Sequence, residues 1–327
     1  MFWTRTIHFQ PDSFSDKMWN LKETKNENTL LDYLHLSNGE LMAKIYPNLG
    51  GSLQQLSFNG VDIIDGISPD ESGLEEYRNT FKSSILFPFP NRVKDGKYDY
   101  GEHTYELSIN DLHFNNAIHG LVHDQKFSYE IVENDSDKII LKLTHREGGS
   151  HTGFPFAYDL NLVYTFDRSG AFTLKFEVFN SGYQTFPFGI GWHPYFLSRD
   201  LCESRVSAKF KDQFICPERM IPEEKEEAQL EEQFVIGEKG FDDGFSLFEP
   251  TCILRTPDYT LKMHFETGSE SYLQIYTPDH RQSIALEPMT CITDALNNGI
   301  GLEALDPGES YQWSIEMKVI LNKEACL

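Results

Sequence analysis

The feature that most restricts this chain is an apolar–polar alternation with a period of two. In "AFTLKFEVFNSG", Phe172, Leu174, Phe176 and Val178 fall on one side. Thr173, Lys175 and Glu177 fall on the other, and Asn180 to Gly182 supply turn chemistry. "YQWSIEMKVIL" repeats the pattern with Trp313, Ile315, Met317 and Val319 against Ser314, Glu316 and Lys318, after the turn "DPGES" at 306–310. Residues 138–145 and 271–277 read as further strands, and alternation also appears at 98–107. "NG", "DG", "GG" and "PD" recur at short intervals, and no long stretch carries an apolar stripe of helical period. The one helix candidate, 222–234 ("PEEKEEAQLEEQF"), has almost no apolar face and reads as a surface helix or a solvated loop. With no internal repeat, low-complexity linker or composition break, the expectation is one domain over 1–327, mainly β, built as a large antiparallel β-sandwich.

Composition removes several classes of function. A net charge of −23 argues against nucleic acid, whose phosphates need clustered Lys and Arg, and against an anionic membrane. No run of about 18 apolar residues is present to span a bilayer. The opening "MFWTRTIHFQPDSF" lacks the apolar run of a signal peptide, and five dispersed cysteines without a CxxC pair fit reduced thiols. A cytoplasmic setting is therefore expected. Gly-rich phosphate loops, GxSxG, HExxH and HxH spacings are all missing, which leaves phosphoryl transfer, dinucleotide redox and zinc hydrolysis without support.

Four polar patches interrupt the strand pattern. In "LFPFPNRV", Asn91 and Arg92 follow a proline-stiffened run. A guanidinium held there either donates paired hydrogen bonds to a ligand or braces backbone carbonyls. In "NNAIHGLVH", His119 precedes Gly120, which permits close backbone approach. In "FGIGWHPYF", His193 lies among Trp192, Tyr195 and Phe196, aromatic side chains that restrict water and orient the ring. In "IALEPMTCITDALNNG", Glu287 ends an apolar strand before a loop at Pro288. A carboxylate so placed is paired or functional, because burying it alone is costly. Asp294 and Asn297 suit turn and cap roles. In "SYLQIYT", Gln274 lies between Tyr272 and Tyr276 on one strand face, as a carbohydrate floor or a wet sheet surface would require. In "FDDGF", Asp242 or Asp243 either accepts from sugar hydroxyls or closes a turn before Gly244.

Taken in this order, "FPFPNRV", "AIHG", "GWHPYF", "FDDGF", "LQIYT", "EPMTCITDALNNG" and "LDPGES" resemble the aldose 1-epimerase (galactose mutarotase-like) family over about residues 85–311. The resemblance implies a galactose-mutarotase β-sandwich, no cofactor, no metal and a small sugar substrate. It carries the family's general acid onto His193 and its general base onto Glu287. Substrate binding falls on Asn91, Arg92, His119, Asp242 and Gln274. "HGL", "HPYFLS" and "EPMT" depart from the common HGG, HPYFNL and ETQ, leaving the catalytic pair intact but not the implied preference for galactose. Alternatives within reach of the same residues are a hexose-6-phosphate epimerase and a non-catalytic carbohydrate-binding protein. A glycoside hydrolase is disfavoured because it needs two carboxylates where this chain offers a histidine and one carboxylate.

Overall fold

The computed structural model describes residues 4–5, 18–265 and 270–322. The opening segment other than Thr4–Arg5, and Cys326, lie outside the described residues. Cys202, Cys216, Cys252 and Cys291 are free thiols. As expected, the architecture is an antiparallel β-sandwich with few helices. A six-stranded sheet runs in chain order from Thr4–Arg5 to Val61–Asp62. It packs against a larger sheet whose central order is Ser128–Asn134, Lys138–Gly148, Ala157–Asp167, Ala171–Asn180, Ser310–Leu321, Tyr259–Phe265, Asp242–Arg255, Ser271–Tyr276 and Ser283–Met289.

The period-two reading explains how the layers meet. Along Ala157–Asp167, Tyr158, Leu160, Leu162, Tyr164 and Phe166 are buried while their neighbours are half-exposed. The strand Ala171–Asn180 repeats this with Phe172, Leu174, Phe176 and Val178, and its register against Ser310–Leu321 sets Phe176 opposite Trp313. These rows fill the space between the sheets. Gly51, at φ +68°, lets the first sheet approach Leu162 and Leu143 so closely that a Cβ there would lie 2.8 Å from Leu162. The Tyr164 hydroxyl then donates to the Gly51 carbonyl across the interface at 2.7 Å.

Several expectations change. Residues 222–234 form no helix: Glu224–Glu227 and Gln233–Val235 are short exposed strands, both paired with Arg205–Ile215. A segment without an apolar face gains more from ladder hydrogen bonds along an existing strand than from an isolated helix. The alternation at 98–107 is a hairpin, Lys97–Tyr100 against His103–Glu106, turning at Gly101. "FDDGF" opens the strand Asp242–Arg255 instead of closing a turn, and the strand carrying Glu287 continues through Pro288 to Met289. One helix was not anticipated. Glu71–Thr80 begins at Asp70, whose carboxylate accepts the Gly73 N–H at 3.0 Å, and buries Leu74 and Tyr77 against Leu31, Tyr46, Leu49 and Ile67. Among the described residues no helix is long and apolar enough to cross a membrane.

Replacing Tyr164 by Phe would leave the Gly51 carbonyl buried without its donor. The expected loss is roughly 1–3 kcal/mol of unfolding free energy, read by denaturant titration with an unchanged m-value.

Candidate functional site

Strand register builds the centre of the site. Gly191 pairs with Met289 and Tyr195 with Ala285, so two steps inward from each pair His193 and Glu287 lie opposite one another. On the other side of the same strand, Glu287 pairs with Gln274. Gln274 and Glu287 on neighbouring strands, and His193 in the break between the short strands Gly191–Trp192 and Tyr195–Leu197, therefore form a row, all lining one cavity of about 430 Å³, within the range typical of small-molecule sites. His193 Nε2 lies 3.5 Å from Glu287 Oε1, within ion-pair reach but long for a hydrogen bond.

The remaining expected residues reach the cavity from both flanks. The short ladder of Arg92–Lys94 with Asn116–Ile118 ends at Asn91 and His119, and the His119 N–H donates to the Asn91 carbonyl at 2.9 Å. Both residues have positive φ, +55° and +64°, which turns their side chains off the ladder toward the cavity. Gly120, at φ +75°, makes this possible: a Cβ there would lie 2.3 Å from the Phe87 carbonyl oxygen. Arg92 donates from Nε to Asp111 at 2.7 Å and from Nη1 to Asn91 at 3.3 Å. It thus lines the cavity while being fixed by a carboxylate. Asp242 accepts from Gln274 Nε2 at 2.8 Å, and Gln274 Oε1 accepts from Asn91 at 3.4 Å. Asp243 instead accepts from Gln213 at 2.8 Å, so of the two acids Asp242 is the one in the cavity. Asp294 accepts from the Lys94 N–H and from Asn297, in keeping with a turn role.

The aromatic setting of His193 is narrower than its neighbours imply. Tyr195 stacks on the imidazole, with centroids 5.0 Å apart and planes 11° apart, and the His119 ring meets it edge-on at 5.0 Å. Trp192 points away, packing on Phe172 and Phe196 in the core, because successive strand residues face opposite sides. The chain also supplies cavity residues that the motifs gave no sign of: Glu76, Arg78 and Lys82 from and after the unanticipated helix, and Asp111. The spacing of Leu74 and Tyr77 behind an Asp cap is the signal that could have located that helix.

Burial sets the protonation states. Desolvation pushes the Glu287 carboxyl well above the usual range, reinforced by Asp242 and opposed by Arg92. The same cause lowers His193 to about 3, and holds His119 well below the usual imidazole range, helped by His193 and Arg92. Asp242 is reached by water through the cavity, yet the surrounding walls still raise it, against the pull of Arg92 and Gln274. Glu287 Oε2, His193 Nδ1 and His119 Nδ1 are buried without a protein hydrogen-bond partner, an arrangement that polar ligand groups would relieve. Among the described residues, no group of three or more His, Cys, Asp or Glu is arranged to hold a metal ion.

The class these features define is an antiparallel β-sandwich with a histidine, a carboxyl group and an amide in one row along a cavity of small-molecule size. Residues 32–318 match the family model described as aldose 1-epimerase, and the chain belongs to that family. It is 26% identical over 292 residues to the Escherichia coli K12 protein YihR, itself uncharacterized, covering 85% of this chain and 90% of that one. Among solved structures it resembles a galactose mutarotase-like protein from Clostridium acetobutylicum, with TM-score 0.79, 20% identity, and 89% of this chain and 96% of the other covered. Galactose 1-epimerase from Lactobacillus acidophilus NCFM gives TM-score 0.74 at 18% identity, with 98% and 100% covered.

Two tests follow from the geometry. The native fold keeps Glu287 protonated above the pH at which the unfolded chain releases that proton, so its contribution to stability falls as pH rises from about 4.3. Glu287→Gln removes that dependence, and its thermal midpoint should exceed the wild-type value by a margin that grows from pH 5 to pH 8. Gly120→Ala should lose more than about 1 kcal/mol in denaturant titration, since the position combines positive φ with a backbone clash.

Proposed function

We propose that the chain is a mutarotase, interconverting the α and β anomers of a free aldohexose by acid–base ring opening and closure. The observation that carries this reading is the buried His193–Glu287 pair, 3.5 Å apart, at the wall of a cavity that Asn91, Arg92, His119, Asp242 and Gln274 also line. Opening a hemiacetal requires a proton taken from the O1 hydroxyl and one delivered to the ring oxygen O5. Rotation about C1–C2 and closure in the reverse sense then give the other anomer. Glu287 takes the first proton and His193 supplies the second, exchanging roles on closure.

The pair holds one proton between carboxyl and imidazole. Burial favours the neutral arrangement, with the proton on Glu287. The reactive arrangement moves it to His193 without changing the net charge of the site. Sugar hydroxyls directed at both groups replace the solvation that burial removed and thereby favour the charged arrangement. Arg92, Asp242, Gln274 and Asn91 hold the ring hydroxyls, and neutral His119 donates beside O5. We also propose that the chain acts as one domain, since its main apolar core draws on residues from Trp19 to Val319. A cytoplasmic setting is part of the same proposal.

Polarimetry of freshly dissolved α-glucose and α-galactose tests the reading. Wild type should speed the decay of rotation, and Glu287→Gln or His193→Asn should each reduce kcat/KM by about 10²- to 10⁴-fold. Decay at the uncatalysed rate across a panel of aldoses would reject catalysis and leave a carbohydrate-binding role.

A further inference from the structure

We propose that the C-terminal end of the helix Glu71–Thr80, with Lys82, is the part of the cavity that reads the substituent on C5 of the sugar. We propose further that it selects a neutral hydroxymethyl group. This inference rests on the mutarotase reading and names the substrate class more closely.

The orientation comes from the acid–base pair. If O1 faces Glu287 and O5 faces His193, then C5 and C6 lie beyond O5, on the His193 side. C2 and C3 lie on the side of Gln274 and Asp242. The His193 flank is formed by the segment that follows the helix. The Ser83 N–H donates to the His193 carbonyl at 2.9 Å, and the His193 N–H donates to the Ser84 carbonyl at 3.1 Å. Tyr195, stacked on the imidazole, donates its hydroxyl to the Thr80 carbonyl at 3.0 Å.

The chemistry of that flank is an ion cluster. Lys82 Nζ lies 2.8 Å from Asp65 Oδ1 and 2.7 Å from Glu76 Oε1. The lysine side chain is 5% exposed, whereas that of Glu76 is 42% exposed at the cavity. Asp65 is itself held by the Ser283 hydroxyl at 2.7 Å. An ammonium has three N–H donors, so one remains beyond the two carboxylates, and Glu76 retains free acceptor capacity. One hydroxyl that accepts from Lys82 and donates to Glu76 satisfies both. Arg78 at the rim offsets the second carboxylate, leaving the wall close to neutral. A phosphate on C6 would instead meet the Glu76 carboxylate, beside a lysine already held by Glu76 and Asp65.

The experiment compares kcat/KM for each hexose with its 6-deoxy analogue, using the glucose and galactose pairs, and adds glucose 6-phosphate. Wild type should favour the hydroxymethyl sugar about tenfold or more, the worth of one hydrogen bond to a charged group. In Glu76→Ala, which removes the acceptor and leaves the Lys82 donor, the ratio should fall about threefold or more, while Glu76→Gln, which keeps an acceptor, retains most of the preference. Glucose 6-phosphate should be a poorer substrate than 6-deoxyglucose for wild type, and should gain on it in Glu76→Ala. Because each value is a ratio on one protein, a partly unfolded variant does not disturb it. A wild-type ratio near one, or an unchanged ratio in Glu76→Ala, would overturn the inference while leaving mutarotation standing. Absence of mutarotation on every aldose would overturn the function and this inference together.

Discussion

One hydrogen-bond register, carried across three antiparallel segments of chain, sets Gln274, Glu287 and, in the gap between two short strands, His193 side by side. A slip of one residue in any of the three would send that side chain into the opposite layer, since successive residues face opposite sides. The register is held by the apolar residues between them: Ile275, Leu286 and Ala285 are almost completely buried. The same interlocking that makes the core therefore sets the spacing of His193 and Glu287. Loops are not asked to find it.

Around that rigid row, the other ligands come from backbone conformations that most side chains avoid. Asn91 and His119 both adopt the left-handed region, and a single hydrogen bond joins them just past the end of a three-residue ladder. Strain of this sort persists only where the surroundings over-determine it. Here the surroundings are Gly120 pressed on the Phe87 carbonyl, and the Arg92–Asp111 pair, which fixes the next side chain along. Burial does the remaining work. By removing water from an imidazole and a carboxyl group together, the fold favours the neutral form of each, with a proton on the carboxyl.

Much of this was legible in the sequence, for identifiable reasons. Strands such as Ala171–Asn180 and Ser310–Leu321 have one face in the core, so their burial pattern is written as alternation. The residues that meet in the cavity stood out as polar groups breaking apolar runs. What stayed hidden had no such local signature. The helix Glu71–Thr80 packs with only Leu74 and Tyr77, too few positions to make a periodic stripe. The strands at Glu224–Glu227 and Gln233–Val235 are exposed additions to a neighbour's edge, stabilised by partners far along the chain. The choice between Asp242 and Asp243 depended on which face of a strand looks into the cavity, and the pairing of Arg92 with Asp111 joins residues that no motif connects.

That helix rests on a small apolar cluster of its own, built from Leu31, Tyr46, Leu49, Ile67, Leu74 and Tyr77, apart from the main core. Its last residue, Thr80, accepts from the Tyr195 hydroxyl, and Ser83 and Ser84 just beyond it hold both backbone groups of His193, so the helix is tied to the segment that carries the imidazole. A change in that small cluster would therefore be felt at the imidazole as well as at the cavity wall.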